Sequence, residues 1–374
     1  MIKIKLLFIM INIQGGGAER VLLNLLRHLD TQKYEITLLL LKKEGKYWNE
    51  IPDHVRVVSV LQPHQHLRFY VPSLFTKGLQ EAQKHDVIVG GLELTPTYLA
   101  YILGILSRKP VVGWVHTDIR YLINLVPKWH SILGKYIYKR IPFMVFVSYG
   151  ACSAMAKWLA CDPRSEWLTI YNIFDPDIYS QTKLDSTILL DLDLPLVVSA
   201  GRLDHTQKDF DLLIKAHAYV VNRGYKHRLI ILGEGKDRRK LEMLVKTLGV
   251  QDSVIMPGFV NNPIQYMEKA TMFVLSSRFE GFGMVLLEAM LAGTPVISTD
   301  CEVGPREILG NNEFGLLVPV GDADALANAI IQLFCDENLR LHYRKKGLER
   351  YKKFLPNKIV PLWDQFFYKI LEIK

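Results

Sequence analysis

The chain has 374 residues, 49% of them hydrophobic and 22% charged, with a formal net charge of +8. That length supports two domains of ordinary size, and the composition is that of a globular protein. No run reaches the roughly 18 apolar residues needed to span a bilayer, which excludes a transmembrane helix.

The charge is lopsided. Residues 1–175 hold 21 Lys and Arg against 13 Asp and Glu, and residues 176–374 hold 25 of each. A basic half beside a neutral half points to an anionic partner for one domain, either a membrane surface or a pyrophosphate-linked acceptor, or else to a merely soluble basic face. No Lys/Arg-rich run and no nucleic-acid motif is present, so nucleic acid is not the expected partner. Cys152, Cys161, Cys301 and Cys335 show no CxxC spacing and read as free thiols in a reducing cytosol.

In chain order, Lys3 to Ile13 reads as a buried strand. Its apolar run, Leu6 to Ile13, is too short to span a bilayer and leads into a glycine loop rather than a small-residue cleavage site, so it is not read as a signal peptide. Gly15-Gly-Gly-Ala-Glu-Arg20 reads as a loop, and Val21 to Leu29 as a helix with leucines at 22, 25, 26 and 29. Strands follow at Tyr34 to Leu41, Val55 to Val60, Asp86 to Gly90, Pro110 to Val115 and Phe143 to Val147. Buried strands bounded by Gly and Pro, with helices between, predict a parallel doubly wound α/β sheet. The polar stretch Asp175 to Asp193 reads as a hinge. The pattern then restarts at Leu194 to Gly201 and continues through Arg228 to Gly233, Val254 to Met256, Met272 to Leu275 and Thr294 to Ser298. Two Rossmann-like domains are expected, at 1–180 and 190–356. Pro356 interrupts a helical stretch. Ile359 to Ile373 then resumes with apolar residues at 359, 360, 362, 363, 366, 367, 370 and 371. This C-terminal helix (357–374) either closes the second domain or crosses back to the first. A membrane-lying role is the weaker alternative, because it carries few basic residues.

The densest chemistry lies in Glu280-Gly-Phe-Gly-Met-Val-Leu-Leu-Glu288, two carboxylates eight residues apart around a glycine turn. An apolar helix, Met284 to Ala292, begins there and stops at Gly293-Thr-Pro295. Glycines at a helix start let a ligand approach the backbone, and the free N–H groups favour an anion. Glu280 would sit on the loop and Glu288 inside the helix, so that one meets a sugar and the other accepts from ribose hydroxyls. Alone, a glycine turn before an apolar helix is also a common structural feature. Arg202 and Lys208, six residues apart after the first strand of the second half, could clamp a pyrophosphate. Gly15-Gly-Gly17 opens the first helix. Gly233-Glu-Gly235 serves a turn, and Phe259-Val260 could border a base. His116 falls at a strand's carboxyl end, where ligands of such sheets bind.

Taken together these residues resemble a known family, the retaining glycosyltransferases of family 4 with the two-domain GT-B fold. The resemblance spans nearly the whole chain through Gly15 to Arg20, Tyr171-Asn172-Ile173, Gly201-Arg202…Lys208 and Glu280…Glu288. The segment Gly304-Pro-Arg-Glu-Ile-Leu309 is similar to that of members building bacterial surface polysaccharides and lipid-linked oligosaccharides.

The resemblance implies two Rossmann-like domains facing across a cleft and a hexose or N-acetylhexosamine moved from a nucleotide sugar, UDP rather than GDP or ADP. The acceptor it implies is either a polyprenyl-diphosphate-linked glycan or a lipopolysaccharide core. It also implies cytoplasmic localisation, with any peripheral contact at the inner face of the cytoplasmic membrane. By the same resemblance Arg202 and Lys208 bind the donor diphosphate, Glu288 the ribose, and Glu280 and His116 the donor sugar. The backbone of Phe282 and Gly283 lines the pocket, Gly16 and Gly17 approach the phosphate, and Arg306 and Glu307 lie at a helix start near the donor. No cofactor or metal is expected. Asp191/Asp193 and Asp322/Asp324 read as linker or helix-cap residues. The rival readings are a UDP-N-acetylglucosamine epimerase, which needs no acceptor, and a non-catalytic nucleotide-sugar sensor, which would bind donor without turnover.

Overall fold

The structure, a computed structural model, describes residues 3–62, 71–180 and 194–372. Most of the expected hinge (181–193), the Asp191/Asp193 pair within it, and the last two residues of the expected C-terminal helix lie outside the described residues. The chain divides into two compact units, Met1–Phe174 with Pro356–Lys374, and Asp175–Leu355.

The first unit holds strands β1 (Ile4–Met10), β2 (Tyr34–Lys42), β3 (Arg56–Leu61), β4 (Val87–Gly90), β5 (Val111–Val115), β6 (Phe143–Phe146) and β7 (Trp167–Thr169). They form one sheet in the order β3-β2-β1-β4-β5-β6-β7, and every pairing is parallel. β4, β5 and β6 are buried along their whole length. Burial on both faces is why they read as continuous apolar runs rather than alternating ones.

The second unit repeats the plan with β8 (Leu196–Ala200), β9 (Arg228–Leu232), β10 (Val254–Gly258), β11 (Met272–Leu275), β12 (Val296–Thr299) and β13 (Leu316–Val318). Their order is β10-β9-β8-β11-β12-β13, again parallel throughout. Its core runs from Val197, Leu229 and Val274 in the sheet to Leu213, Leu326 and Ile330 in the helices.

Two differences from the sequence reading are physical. The edge strands β7 and β13 are three residues each, too short to show any periodicity. The first helix runs Gly17–His28 rather than starting at Val21, so Gly17 to Arg20 form its first turn and not a loop. Glycine's poor helix propensity hides that turn, which is closed by Arg20 N donating to the Gly16 carbonyl at 3.1 Å.

The C-terminal helix, Pro356–Glu372, packs on the first unit. Trp363 meets Trp114 edge-on at 4.7 Å, Phe366 meets Phe143 at 6.5 Å, and Phe367 meets Tyr34 at 5.8 Å. Asp364 accepts from Lys33 Nζ and Tyr34 Oη, both at 2.9 Å. The buried stripe is Ile359, Trp363, Phe366, Phe367 and Ile370, narrower than the expected apolar face because Leu362 points to solvent.

Candidate active site

Each sheet reverses its winding beside its first strand, between β1 and β4 in one unit and β8 and β11 in the other. Ligands of such sheets bind outside the carboxyl ends of the strands at that point. The candidate residues fall on the loops that leave those ends.

In the second unit the loop after β8 and the loop after β11 are joined through side chains. Lys208 Nζ donates to Glu280 Oε1 at 2.5 Å, and Ser277 Oγ donates to the same oxygen at 2.6 Å. Ser276 Oγ donates to the Lys208 carbonyl at 2.9 Å. Glu280 is 5% exposed, and the Lys208 stem runs against Gly201. A carboxylate buried this far needs paired donors, and it receives a cation and a hydroxyl. The result is an ammonium held at a fixed place at the end of the sheet. Arg202 is exposed and, among the described residues, makes no ion pair; the structure therefore brings Lys208 and Glu280 together without Arg202.

The helix Met284–Leu291 begins next to this pair with Gly283 as its N-cap at φ +98°. Gly304 lies against the same turn. A Cβ there would come within 2.6 Å of the Phe282 carbonyl oxygen, so only glycine permits the approach. The Phe282 ring is buried edge-on against Phe354 at 5.4 Å, which leaves its backbone as the part at the turn. Glu288 lies in the helix as expected and accepts from Tyr179 Oη at 2.6 Å. Phe259 follows β10 and is exposed, with Val260 half-buried beside it. Arg306 and Glu307 belong to the short helix Pro305–Leu309. The Arg306 guanidinium is bound by both oxygens of Asp300, and that hydrogen bonding raises its pKa. Asp322 caps the helix Ala323–Cys335 by accepting from Ala325 N at 2.8 Å.

In the first unit Gly16 is the extended N-cap of Gly17–His28, with the Glu19 carboxylate folded over it, while a Cβ on Gly17 would meet open space. His116 follows β5 and lies against Trp114, ring centroids 4.4 Å apart. Both ring nitrogens are buried with no hydrogen-bond partner among the described residues. Burial depresses the imidazole to about 3, so the ring is neutral at pH 7. The backbone N–H groups of His116 and Thr117 donate to Glu93 Oε1, the latter at 2.8 Å. Glu93 is itself buried after β4, and desolvation pushes its carboxyl up to about 7.

Sequence reasoning passed over several of these groups. Glu93 and Ser276-Ser277 follow buried strands, so the rule that singled out His116 would have found them. Tyr179 carried no such signal. Asp209-Phe-Asp211 is a further Asp-x-Asp pair. His205, Asp209 and Asp211 bring possible ligand atoms within 4.8 Å of one another. The Oδ2 atoms of the two aspartates are engaged by Arg278 at 2.9 Å and Lys240 at 3.0 Å, while their Oδ1 atoms face His205 Nδ1 at 3.6 and 3.1 Å.

Two family models match the chain, "Glycosyltransferase Family 4" over residues 15–178 and "Glycosyl transferases group 1" over residues 180–350. A Campylobacter jejuni protein, N-acetylgalactosamine-N,N'-diacetylbacillosaminyl-diphospho-undecaprenol 4-alpha-N-acetylgalactosaminyltransferase, is 30% identical over 352 residues, 91% of this chain and 93% of its own. A second protein of that organism, GalNAc-alpha-(1->4)-GalNAc-alpha-(1->3)-diNAcBac-PP-undecaprenol alpha-1,4-N-acetyl-D-galactosaminyltransferase, is 27% identical over 382 residues and 99% of both chains. Among solved structures, Anabaena HepE in complex with UDP and glucose shares the fold, with a TM-score of 0.80 at 21% identity over 98% of this chain and 100% of that one.

Proposed function

The chain belongs to the family 4 glycosyltransferases, and on that premise we propose that it moves a hexose or N-acetylhexosamine from a UDP-sugar to a lipid-linked glycan with retention of configuration. The observation that carries this reading is the Lys208–Glu280 pair at the carboxyl end of the second sheet, beside the Gly283 helix start. A nucleotide sugar needs a cation for its diphosphate and a group for its sugar, and these loops hold both types within one hydrogen bond. The Campylobacter relatives are named for acceptors on diphospho-undecaprenol or PP-undecaprenol, and HepE was solved with UDP. These names support the choice of acceptor and base.

In the proposed reaction the anomeric C–O bond breaks while negative charge grows on the leaving diphosphate. Lys208, Arg202 and the backbone at Gly283 stabilise that charge without a metal. The acceptor hydroxyl attacks from the face that the diphosphate leaves and gives its proton to the departing phosphate oxygen, which differs from the two-carboxylate route of retaining hydrolases. Glu280 contacts the donor sugar, and Glu288, set by Tyr179, receives the ribose hydroxyls. The backbone of Phe282 and Gly283 lines the nucleotide-sugar pocket, with Phe259 and Val260 at the base. Arg306, held by Asp300, and Glu307 lie at its edge. In the first unit the proposed contacts are His116 to the sugar and Gly16 and Gly17 to phosphate. The acceptor's lipid places the enzyme at the inner face of the cytoplasmic membrane. Among the described residues no helix is long and apolar enough to cross that membrane.

A thermal-unfolding series with UDP, GDP and ADP tests the donor. Binding stabilises by RT ln(1 + [L]/Kd), about 2.7 kcal/mol at a hundredfold excess over Kd. A UDP-selective rise in Tm, unchanged by EDTA, is the expected result. A rise with GDP or ADP alone overturns the base. A rise that needs a divalent metal overturns the metal-free account.

A further inference from the structure

The helix Trp129–Tyr138 turns an apolar stripe outward. Trp129, Ile132, Leu133 and Tyr136 recur at i, i+3, i+4 and i+7 and so share one face. Ile132 is 77% exposed, and Trp129 and Tyr136 are each 53% exposed. The opposite side is docked. Gly134, Ile137 and Tyr138 are buried, and Tyr98 Oη donates to the His130 carbonyl at 3.1 Å. The stripe is therefore held outward by packing behind it. Leu125, 61% exposed, extends the apolar surface just before the helix.

Charge decides what could cover this stripe. From residue 94 to residue 161 the chain carries eight Lys and Arg and a single acid, Asp118. That acid is buried as a helix N-cap and bound to Arg120. Lys128, Lys135 and Lys139 stand seven and four residues apart, a spacing that lines them along one edge of the stripe. Arg140 lies over the Tyr136 ring at 3.6 Å. Among the described residues no ion pair engages any of these four cations, although each is exposed. An apolar band with Trp and Tyr, edged by uncompensated cations, complements a surface with anionic head groups above hydrocarbon.

From this we propose that Trp129–Tyr138 is an interfacial anchor, lying in the plane of an anionic bilayer with Trp129, Ile132, Leu133 and Tyr136 buried in the head-group boundary and Lys128, Lys135 and Lys139 on the lipid phosphates. Ten residues of helix reach about 15 Å, half the hydrocarbon thickness, so this helix lies on the membrane rather than crossing it. The inference deepens the proposed lipid-linked acceptor and rests on that reading for its purpose. Its evidence is the surface alone.

Vesicle flotation of the full chain tests it, using phosphatidylcholine vesicles with and without phosphatidylglycerol. The protein should float with the anionic vesicles only and should dissociate as salt is raised. Ile132→Asp should abolish flotation. Lys128→Glu and Lys139→Glu should each weaken it about fivefold or more. Circular dichroism melting and the UDP-dependent shift in Tm, measured on the same variants, report an intact fold and donor site. Failure of the wild-type chain to float, or undiminished flotation of Ile132→Asp, overturns the anchor. So does a dimer, seen by sedimentation, that Ile132→Asp converts to monomer, because the stripe then pairs two copies of the chain. If flotation holds while no nucleotide raises Tm, the proposed nucleotide-sugar donor fails and the anchor stands.

Discussion

Glu280 Oε1 accepts from both Lys208 Nζ and Ser277 Oγ, so this one oxygen ties the loop after β11 to the loop after β8. Removing the lysine would leave a carboxylate buried without its cation, which costs about 3–5 kcal/mol in comparable buried pairs. Lys208→Ala therefore confounds folding with chemistry. Glu280→Gln is the milder change, since an amide oxygen still accepts from both donors, although it leaves the Lys208 ammonium, 14% exposed, without its anion. We expect Glu280→Gln to melt between Lys208→Ala and the wild type and, assayed where it is still folded, to lose about 100-fold or more in kcat, the scale of one electrostatic contact to a transition state. Wild-type turnover in that variant would show that Glu280 only positions Lys208. Both residues were legible in sequence, Glu280 from its glycine turn and Lys208 from its place after the first strand of the second half, but their pairing was not. Lys208 lies 72 residues before Glu280, and nothing local joins the two. Arg202 was read beside Lys208 by spacing, whereas the fold leaves that side chain exposed.

At the scale of elements, the strands were the easiest feature to read, because burial on both faces forces unbroken runs of Val, Ile, Leu and Phe. Their edges were the hardest. Three residues at β7 or β13 need only satisfy one neighbouring strand, and no periodicity survives at that length. The C-terminal helix shows the same limit in another form. Its apolar face was plain in sequence, but two destinations remained open until Trp363 met Trp114 and Asp364 met Lys33. Trp363 is 1% exposed and stands between the helix and β5. Trp363→Ala should destabilise the first unit by about 3–5 kcal/mol, the usual cost of emptying an aromatic core site. Urea unfolding checks this, and an unchanged midpoint would make the helix an accessory.

At the scale of the whole molecule, buried titratable groups set the response to acid. His217 Nδ1 lies 2.7 Å from His227 Nε2 in the second unit, and its Nε2 lies 2.8 Å from Ser253 Oγ. Burial holds His217 down at about 3 and lowers His227 as well. The unfolded chain takes up protons near 6.5 that the folded one refuses. Their stabilising share is therefore complete above pH 6.5 and declines as pH falls towards 3, by about 2 kcal/mol for His217 at pH 5. Glu93 works in the opposite direction. With its carboxyl raised to about 7, its share is complete below pH 4.5 and declines as pH rises to 7. His217→Leu lowers stability at every pH by stranding His227, but its further loss between pH 7.5 and pH 5 should be about 2 kcal/mol smaller than the wild type's. Equal losses in urea titrations would show that His217 does not govern the acid limb. By itself the sequence determined the class of fold, the repeat of one sheet plan in two halves, and the family, because buried runs, glycine turns and motif order are local and survive as a linear pattern. Only the tertiary structure decided that Lys208 meets Glu280, that Tyr179 meets Glu288, that Glu93 stands under His116 and that Trp129–Tyr138 turns its apolar stripe outward. Those facts depend on which distant segments share a loop end or a helix face, and the linear order of residues does not encode that juxtaposition locally.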